Sequence, residues 1–314
     1  MLRKIIFLCC EGKEMKISGF SYVKNGLEYG YPFLEAILSV LPVCDEFVIA
    51  VGESTDGTRE AIEKINNGKI KIIDTIWDMS LRQGGKVFAQ QANIALDHIS
   101  GDWAFHIQAD EVIHEKNLSA ISEAIRQNEN NEKVEGFILP FLHFWGSYQY
   151  IRTSRRVHRH EVRIFRNQPG IRSYADSQGF RKYSSVEAYE QGEKGKKLWV
   201  KKIDAPIYHY NGVRPYNIQK KKLHTFGYLH NLDQSEDVFD HFDYQKVDRV
   251  EKFKGEHPAV MKEKVEQQDW EFEFDPAKAV WLKKDKMIQP IEDVLGFKFG
   301  EYKNYREIKE FFVK

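Results

Sequence analysis

From Met15 to Glu111 the chain repeats one unit: a short β-branched or aromatic run, then a stretch with helical apolar spacing. Residues 17–23 read as the first strand. Leu34, Ile37, Leu38 and Leu41 then share a helical face, with Pro42 where that helix should stop. Phe47-Val48-Ile49-Ala50-Val51 is continuously apolar, as a strand buried on both faces must be, and it ends in the capping-rich turn Gly52-Glu53-Ser54-Thr55-Asp56-Gly57-Thr58. A helix follows to about residue 65, then a strand over 69–73, a loop with Arg82, Gly84, Gly85 and Lys86, a helix over 87–98 and a strand over 103–107. Parallel neighbours need a crossover of a dozen or more residues, so this alternation predicts an α/β fold with a parallel sheet covered by helices. The fourth strand runs straight into Gln108-Ala109-Asp110-Glu111. Ligands of such sheets sit outside the carboxyl ends of the strands, which makes that acidic end the first place to look for chemistry.

Beyond a helix over 118–127 the pattern loosens. Strands are expected over 136–144 and 162–165, separated by a segment rich in Arg and His, and the run Ala205-Pro206-Ile207-Tyr208-His209-Tyr210 closes this part. From Pro215 the composition shifts to charged, helix-forming stretches over 216–231 and 244–254. The expected division is an N-terminal extension over 1–15, a catalytic domain over 16–213 and a mainly helical C-terminal extension over 214–314. With 47 basic and 47 acidic side chains in 314 residues the formal charge is zero, which excludes a general nucleic-acid binder. Cys9, Cys10 and Cys44 make neither a disulfide framework nor a metal spacing, and point to a reducing, cytoplasmic setting. The apolar run over 5–10 is too short for a membrane span. No Gly-x-Gly turn follows the first strand, which argues against a dinucleotide dehydrogenase or a methyltransferase.

The Ser54-Thr55-Asp56-Gly57-Thr58 turn and Gln108-Ala109-Asp110-Glu111, with Val23-Lys24-Asn25 and the stretch from Ala89 to Asn93, resemble the family 2 glycosyltransferases of the GT-A, nucleotide-diphospho-sugar fold over roughly residues 16–113. In that family the second strand usually ends in an Asp-Asp-Gly-Ser-Thr-Asp-Gly-Thr-like turn and the fourth in Asp-x-Asp. The resemblance implies a GT-A type, mostly parallel central sheet flanked by helices. It also implies an inverting, metal-dependent, hexosyltransferase-like enzyme that moves a sugar from a nucleotide-sugar donor to a hydroxyl of a glycan or glycolipid, as in polysaccharide biosynthesis. Mn²⁺ or Mg²⁺ would neutralise the leaving diphosphate. Asp110 is the expected metal ligand, with Glu111 and His209 assisting. Val51, Gly52 and Gln108 stand where the family carries acids that contact base and ribose, so Glu53, Ser54, Asp56, Asn25 and the Gln108 amide are expected to take over donor contacts. Arg82 and Lys86 are expected on the diphosphate. The donor need not be a uridine nucleotide.

An inverting transfer needs a carboxylate to take the acceptor hydroxyl proton. Arg163-Ile164-Phe165-Arg166 followed by an acid resembles the family's acceptor stretch and implies Asp176 as the base, with Glu161 second. Six arginines between Arg152 and Arg166 offer forked donors to a diphosphate, to a phosphorylated or lipid-linked acceptor, or to a membrane surface. Ordinary solvated loop residues are the competing reading there. A degenerate, non-catalytic GT-A module that binds a glycan or protein partner is the alternative to an enzyme. A sugar-phosphate nucleotidyltransferase is disfavoured, because Ser21-Tyr22-Val23-Lys24-Asn25-Gly26 lacks that class's glycine-rich basic signature.

Overall fold

The structure is a computed structural model that describes residues 15–230 and 241–309. The N-terminal extension, save Met15, and the last residue of the helix expected over 216–231 lie outside the described residues.

The expected alternation is present: β1 (Ile17–Val23), α1 (Phe33–Val40), β2 (Glu46–Gly52), α2 (Thr58–Glu63), β3 (Ile70–Thr75), α3 (Lys86–Leu96) and β4 (Trp103–His106). The first helix stops where Pro42 opens a tight turn over Leu41–Val43. The chain continues through β5 (Glu111–Ile113), α4 (Leu118–Gln127), β6 (Gly136–Trp145), β7 (Ser147–Arg152) and β8 (His160–Arg166). Then come β9 (Ile171–Tyr174), β10 (Gly179–Lys182), α5 (Val186–Glu190), β11 (Lys196–Lys197), β12 (Trp199–Lys202), β13 (Ile207–Gly212) and α6 (Tyr216–Leu229). The main sheet runs parallel along β3-β2-β1-β4 and again where β12 and β13 flank β6. It turns antiparallel from β8 onward. This is the mostly parallel, helix-flanked sheet expected of the GT-A fold. The strands β9-β10-β11 make a small separate sheet.

The core follows from the alternation. On one face Phe47, Ile49, Val51, Trp103 and Phe105 pack with Ile37 and Val40 of α1 and Ile121 and Ile125 of α4; on the other Phe20, Val48, Ala50 and Phe165 pack with Ala95 and Leu96 of α3. The C-terminal residues join this body. The stretch 244–254, expected to be helical, instead holds β14 (Val250–Lys252), which pairs antiparallel with β7, and Val247 and Val250 pack with Tyr150. Tertiary pairing overrides the local helix propensity of that charged segment. A second short strand, β15 (Arg306–Glu307), adds to the edge at β12. No helix among the described residues is long and apolar enough to cross a membrane.

Candidate active site

Beyond the carboxyl ends of β1 and β4 lies a cavity of about 650 Å³, within the range of small-molecule sites. Its floor comes from Tyr22 to Asn25 and from Gln108 to Asp110; β8, the β9–β10 turn, β13 and α6 supply the walls. Of the expected residues it brings together Asn25, Gln108, Asp110, Glu161, Asp176 and His209.

β5 pairs antiparallel with β13, so the Asp110 carboxylate lies beside His209, Oδ1 to Nε2 3.6 Å, and α6 brings Lys222 Nζ to 3.7 Å from Oδ2. Burial raises the Asp110 pKa, but His209, Lys222 and Arg214 outweigh it and hold the carboxyl well below the usual range. Lys222 is pulled down to about 7 by burial and by Arg214, with Asp110 acting the other way. Its ammonium donates to Asn211 Oδ1 and lies 4.9 Å from the Tyr31 ring.

A relay of imidazoles orients His209. The His158 carbonyl can only accept, so His143 Nε2, 2.7 Å away, donates to it. Burial and His209 push the His143 pKa down to about 3, so its Nδ1 is bare and accepts from His209 Nδ1, 2.8 Å away. In neutral His209 the Nε2 lone pair then faces the Asp110 carboxylate. A protonated His209 pairs with that carboxylate directly, whereas the neutral ring leaves two electron-rich atoms for a cation to join. The pair therefore fits a divalent ion of the kind bound by one or two protein ligands plus substrate phosphates, with the outer ring nitrogen held as metal-binding imidazoles require.

Glu111 does not join them. Both of its oxygens receive the Arg163 guanidinium at 2.6 and 2.8 Å, and Oε2 also accepts from the Gln108 N–H at 3.1 Å. The pair is buried, with side chains 1% and 3% exposed, and it fixes the turn that presents Asp110. Breaking such a pair from one side leaves a buried charge, at about 3–5 kcal/mol. Arg163→Met is therefore expected to lower the unfolding free energy measured by chemical denaturation by that amount, and Glu111→Gln in the same chain to recover part of it.

At the far end stand two carboxyls. Burial lifts Glu161 to about 7, against the pull of Arg163 and helped by Glu111 and Asp176, and its Oε2 is buried with no hydrogen-bond partner. Asp176 sits in the β9–β10 turn between Ala175 (φ 53) and Ser177 (φ 63), both in the left-handed region that costs non-glycine residues energy. Its Oδ2 is 3.6 Å from His230 Nε2. Gly85, at φ 69, lets this happen: a Cβ there would lie 2.7 Å from both Asp176 Cβ and His230 Nε2. The Gln108 amide donates to the Ser177 carbonyl at 3.4 Å, which ties the acidic strand end to this turn.

The other expected donor residues lie elsewhere. Glu53 and Ser54 line a separate shallow depression, and Ser54 and Asp56 hold the loop after β1: Ser54 Oγ accepts from Asn25 N–H at 3.0 Å, and Asp56 Oδ2 from Glu28 N–H at 2.7 Å. Arg82 covers the Tyr228 ring at 4.6 Å, and Lys86 is exposed outside the cavity. The arginine cluster is largely spent internally. Arg152 meets Asp248, Arg155 meets Asp285 and Glu292, Arg156 meets Asp285, and Arg166 donates to the carbonyls of Asn128, Glu129, Asn131 and Val134. Arg159 lines the cavity.

Several residues here escaped sequence reasoning. Trp77 fills the space where the missing acid at position 52 would stand, since a Cβ on Gly52 would lie 2.3 Å from its Nε1; that buried N–H has no partner. Trp77 packs with Tyr22, Phe88 and Leu229 as an aromatic wall. Lys222 escaped as well, because only the packing of α6 shows that its face with Gln219 and Leu229 is buried.

No family model matches the chain, and no curated protein matches it. Among solved structures it is similar to residues 1–349 of TarS from S. aureus, at 16% identity over 72% of this chain and 68% of that one, TM-score 0.39. The same protein in complex with UDP-GlcNAc is similar at 15% identity over 72% and 70%, TM-score 0.37. So is glucosyl-3-phosphoglycerate synthase from Mycobacterium tuberculosis in complex with Mn²⁺, UDP and phosphoglyceric acid, at 16% identity over 42% and 45%, TM-score 0.28.

Proposed function

We propose that the chain is an inverting glycosyltransferase that takes a sugar from a nucleotide-sugar donor to a hydroxyl of a glycan or glycolipid, with the donor diphosphate at Asp110. The observation that carries this reading is the pairing of Asp110 with His209 and Lys222 in one buried corner of a cavity at the strand ends. Asp110 and His209 would hold Mn²⁺ or Mg²⁺, which when bound supplies positive charge to the leaving diphosphate. Lys222, Arg159 and Lys298 add the chain's own positive charge along the cavity. Trp77 and its aromatic neighbours offer a flat apolar wall to the nucleoside base, in place of the acids absent at Val51 and Gly52. This matches a donor whose base is not restricted to uracil.

Glu161 takes the acceptor proton. Its raised pKa near 7 suits a base working at neutral pH, and its free oxygen faces no competing donor. Asp176, expected first for that role, lies 3.6 Å from His230 in the turn to which Gln108 is tied and also has a buried oxygen without a hydrogen-bond partner, so it is the second candidate. The working division into a catalytic body over 16–213 and an extension over 214–314 is kept with an amendment: the extension supplies Lys222 from α6, and Lys298, to the site.

The test is product release. Purified protein with Mn²⁺ or Mg²⁺, offered UDP-, GDP-, ADP- and TDP-sugars, is expected to liberate a nucleoside diphosphate from at least one. Neither release nor binding across the panel would remove the enzyme reading and leave a glycan- or partner-binding module.

A further inference from the structure

The helix Lys283–Leu295 is turned against its own hydrophobic pattern. Its buried residues are Asp285, Gln289 and Glu292. Asp285 receives Arg155 and Arg156, each at 2.7 Å, and Glu292 receives Arg155 at 3.1 Å. Gln289 Oε1 accepts the Arg155 backbone N–H at 2.6 Å. The opposite face carries Met287, Ile291, Val294 and Leu295 at helical spacing, exposed by 74%, 52%, 86% and 50%. The surface extends past the Gly296 cap to Phe297 and Phe299, whose rings meet at 4.8 Å, and to exposed Tyr302. Lysines border it: Lys283, Lys284 and Lys286 are exposed in the first turn. Lys298 and Tyr302 also line the cavity, so this face reaches the rim of the candidate active site.

We propose that this face docks the protein on an anionic lipid bilayer surface, the apolar side chains entering the headgroup boundary and the lysines meeting the phosphates. The charge pattern selects this occupant. The helix turns Asp285 and Glu292 inward onto arginines, and Asp293 pairs with Arg249, so the border left facing outward is basic. That is the pattern of a helix lying in a membrane interface: an apolar stripe with aromatics, edged by lysine. A second copy docked on the same stripe would have to bury or abut those lysines with the helix's own acids already committed. Within the arginine cluster, Arg155 and Arg156 hold this helix with its apolar side out. The proposal does not rest on the transferase reading.

The test is flotation of the full chain with vesicles of phosphatidylcholine alone and of phosphatidylcholine mixed with phosphatidylglycerol. Recovery with the anionic vesicles only, falling as salt rises, is expected. The double substitution M287D/I291D should weaken it about tenfold or more. K283E/K284E should weaken it and flatten the salt dependence. All four positions are exposed, and unchanged thermal melts and circular dichroism in lipid-free buffer verify that the fold is intact. Absence of flotation with anionic vesicles, or flotation that M287D/I291D leaves unchanged, overturns the proposal. So does a wild-type dimer in sedimentation equilibrium that M287D/I291D converts to monomer without any lipid binding, which would assign the face to a second copy.

Discussion

Asp110→Asn should lower kcat/KM for nucleotide-sugar turnover by about a thousandfold, the scale seen when one charge-stabilising group is removed from a preorganised site. Among the described residues this carboxylate pairs with both His209 and Lys222, and the amide keeps its shape while losing its charge. The same change should weaken Mn²⁺ binding measured by titration calorimetry, with donor absent. It should also lower the Lys222 pKa further, because Asp110 is the group holding it up. A variant that keeps full Mn²⁺ affinity and turnover would move the diphosphate site away from this strand end.

Glu161→Gln is the second large effect, a loss of about 10²–10⁴ in turnover. The sign of its pH dependence follows from the raised pKa. A base works when deprotonated, so wild-type kcat/KM should rise with pH and level off above about 7. The limb should vanish in Glu161→Gln and persist in Asp176→Asn. Stability runs the opposite way. A carboxyl whose folded pKa is raised from 4.5 to about 7 contributes stability below its unfolded value and loses it as pH climbs through 7. The melting temperature of Glu161→Gln should therefore gain on the wild type across that window. If the rate limb survives in Glu161→Gln and disappears in Asp176→Asn, the base is Asp176.

The sheet and the position of Asp110 beside the cavity at a strand end were readable because each depends on local signals: periodicity fixes strands and helices, and a strand's carboxyl end is where ligands sit. What stayed hidden depends on partners far along the chain. Glu111 looked like a metal ligand until Arg163, 52 residues away, claimed both its oxygens. Ser54 and Asp56 looked like donor contacts, and their hydrogen bonds instead go to Asn25 and Glu28. The helix Lys283–Leu295 inverts its pattern because arginines from 155 and 156 reach its acids, and no periodicity within the helix announces that. Lys222 was hidden for the same reason, since only the packing of α6 shows that its face with Gln219 and Leu229 is buried.

The most direct measurement of the central claim is calorimetric titration of the wild type and of Asp110→Asn with UDP, GDP, ADP and TDP, with and without Mn²⁺. Binding of at least one nucleoside diphosphate to the wild type, strengthened by Mn²⁺ and lost in Asp110→Asn, is the expected result. Binding that Asp110→Asn leaves intact, or no binding of any of the four to a folded wild type, would contradict it.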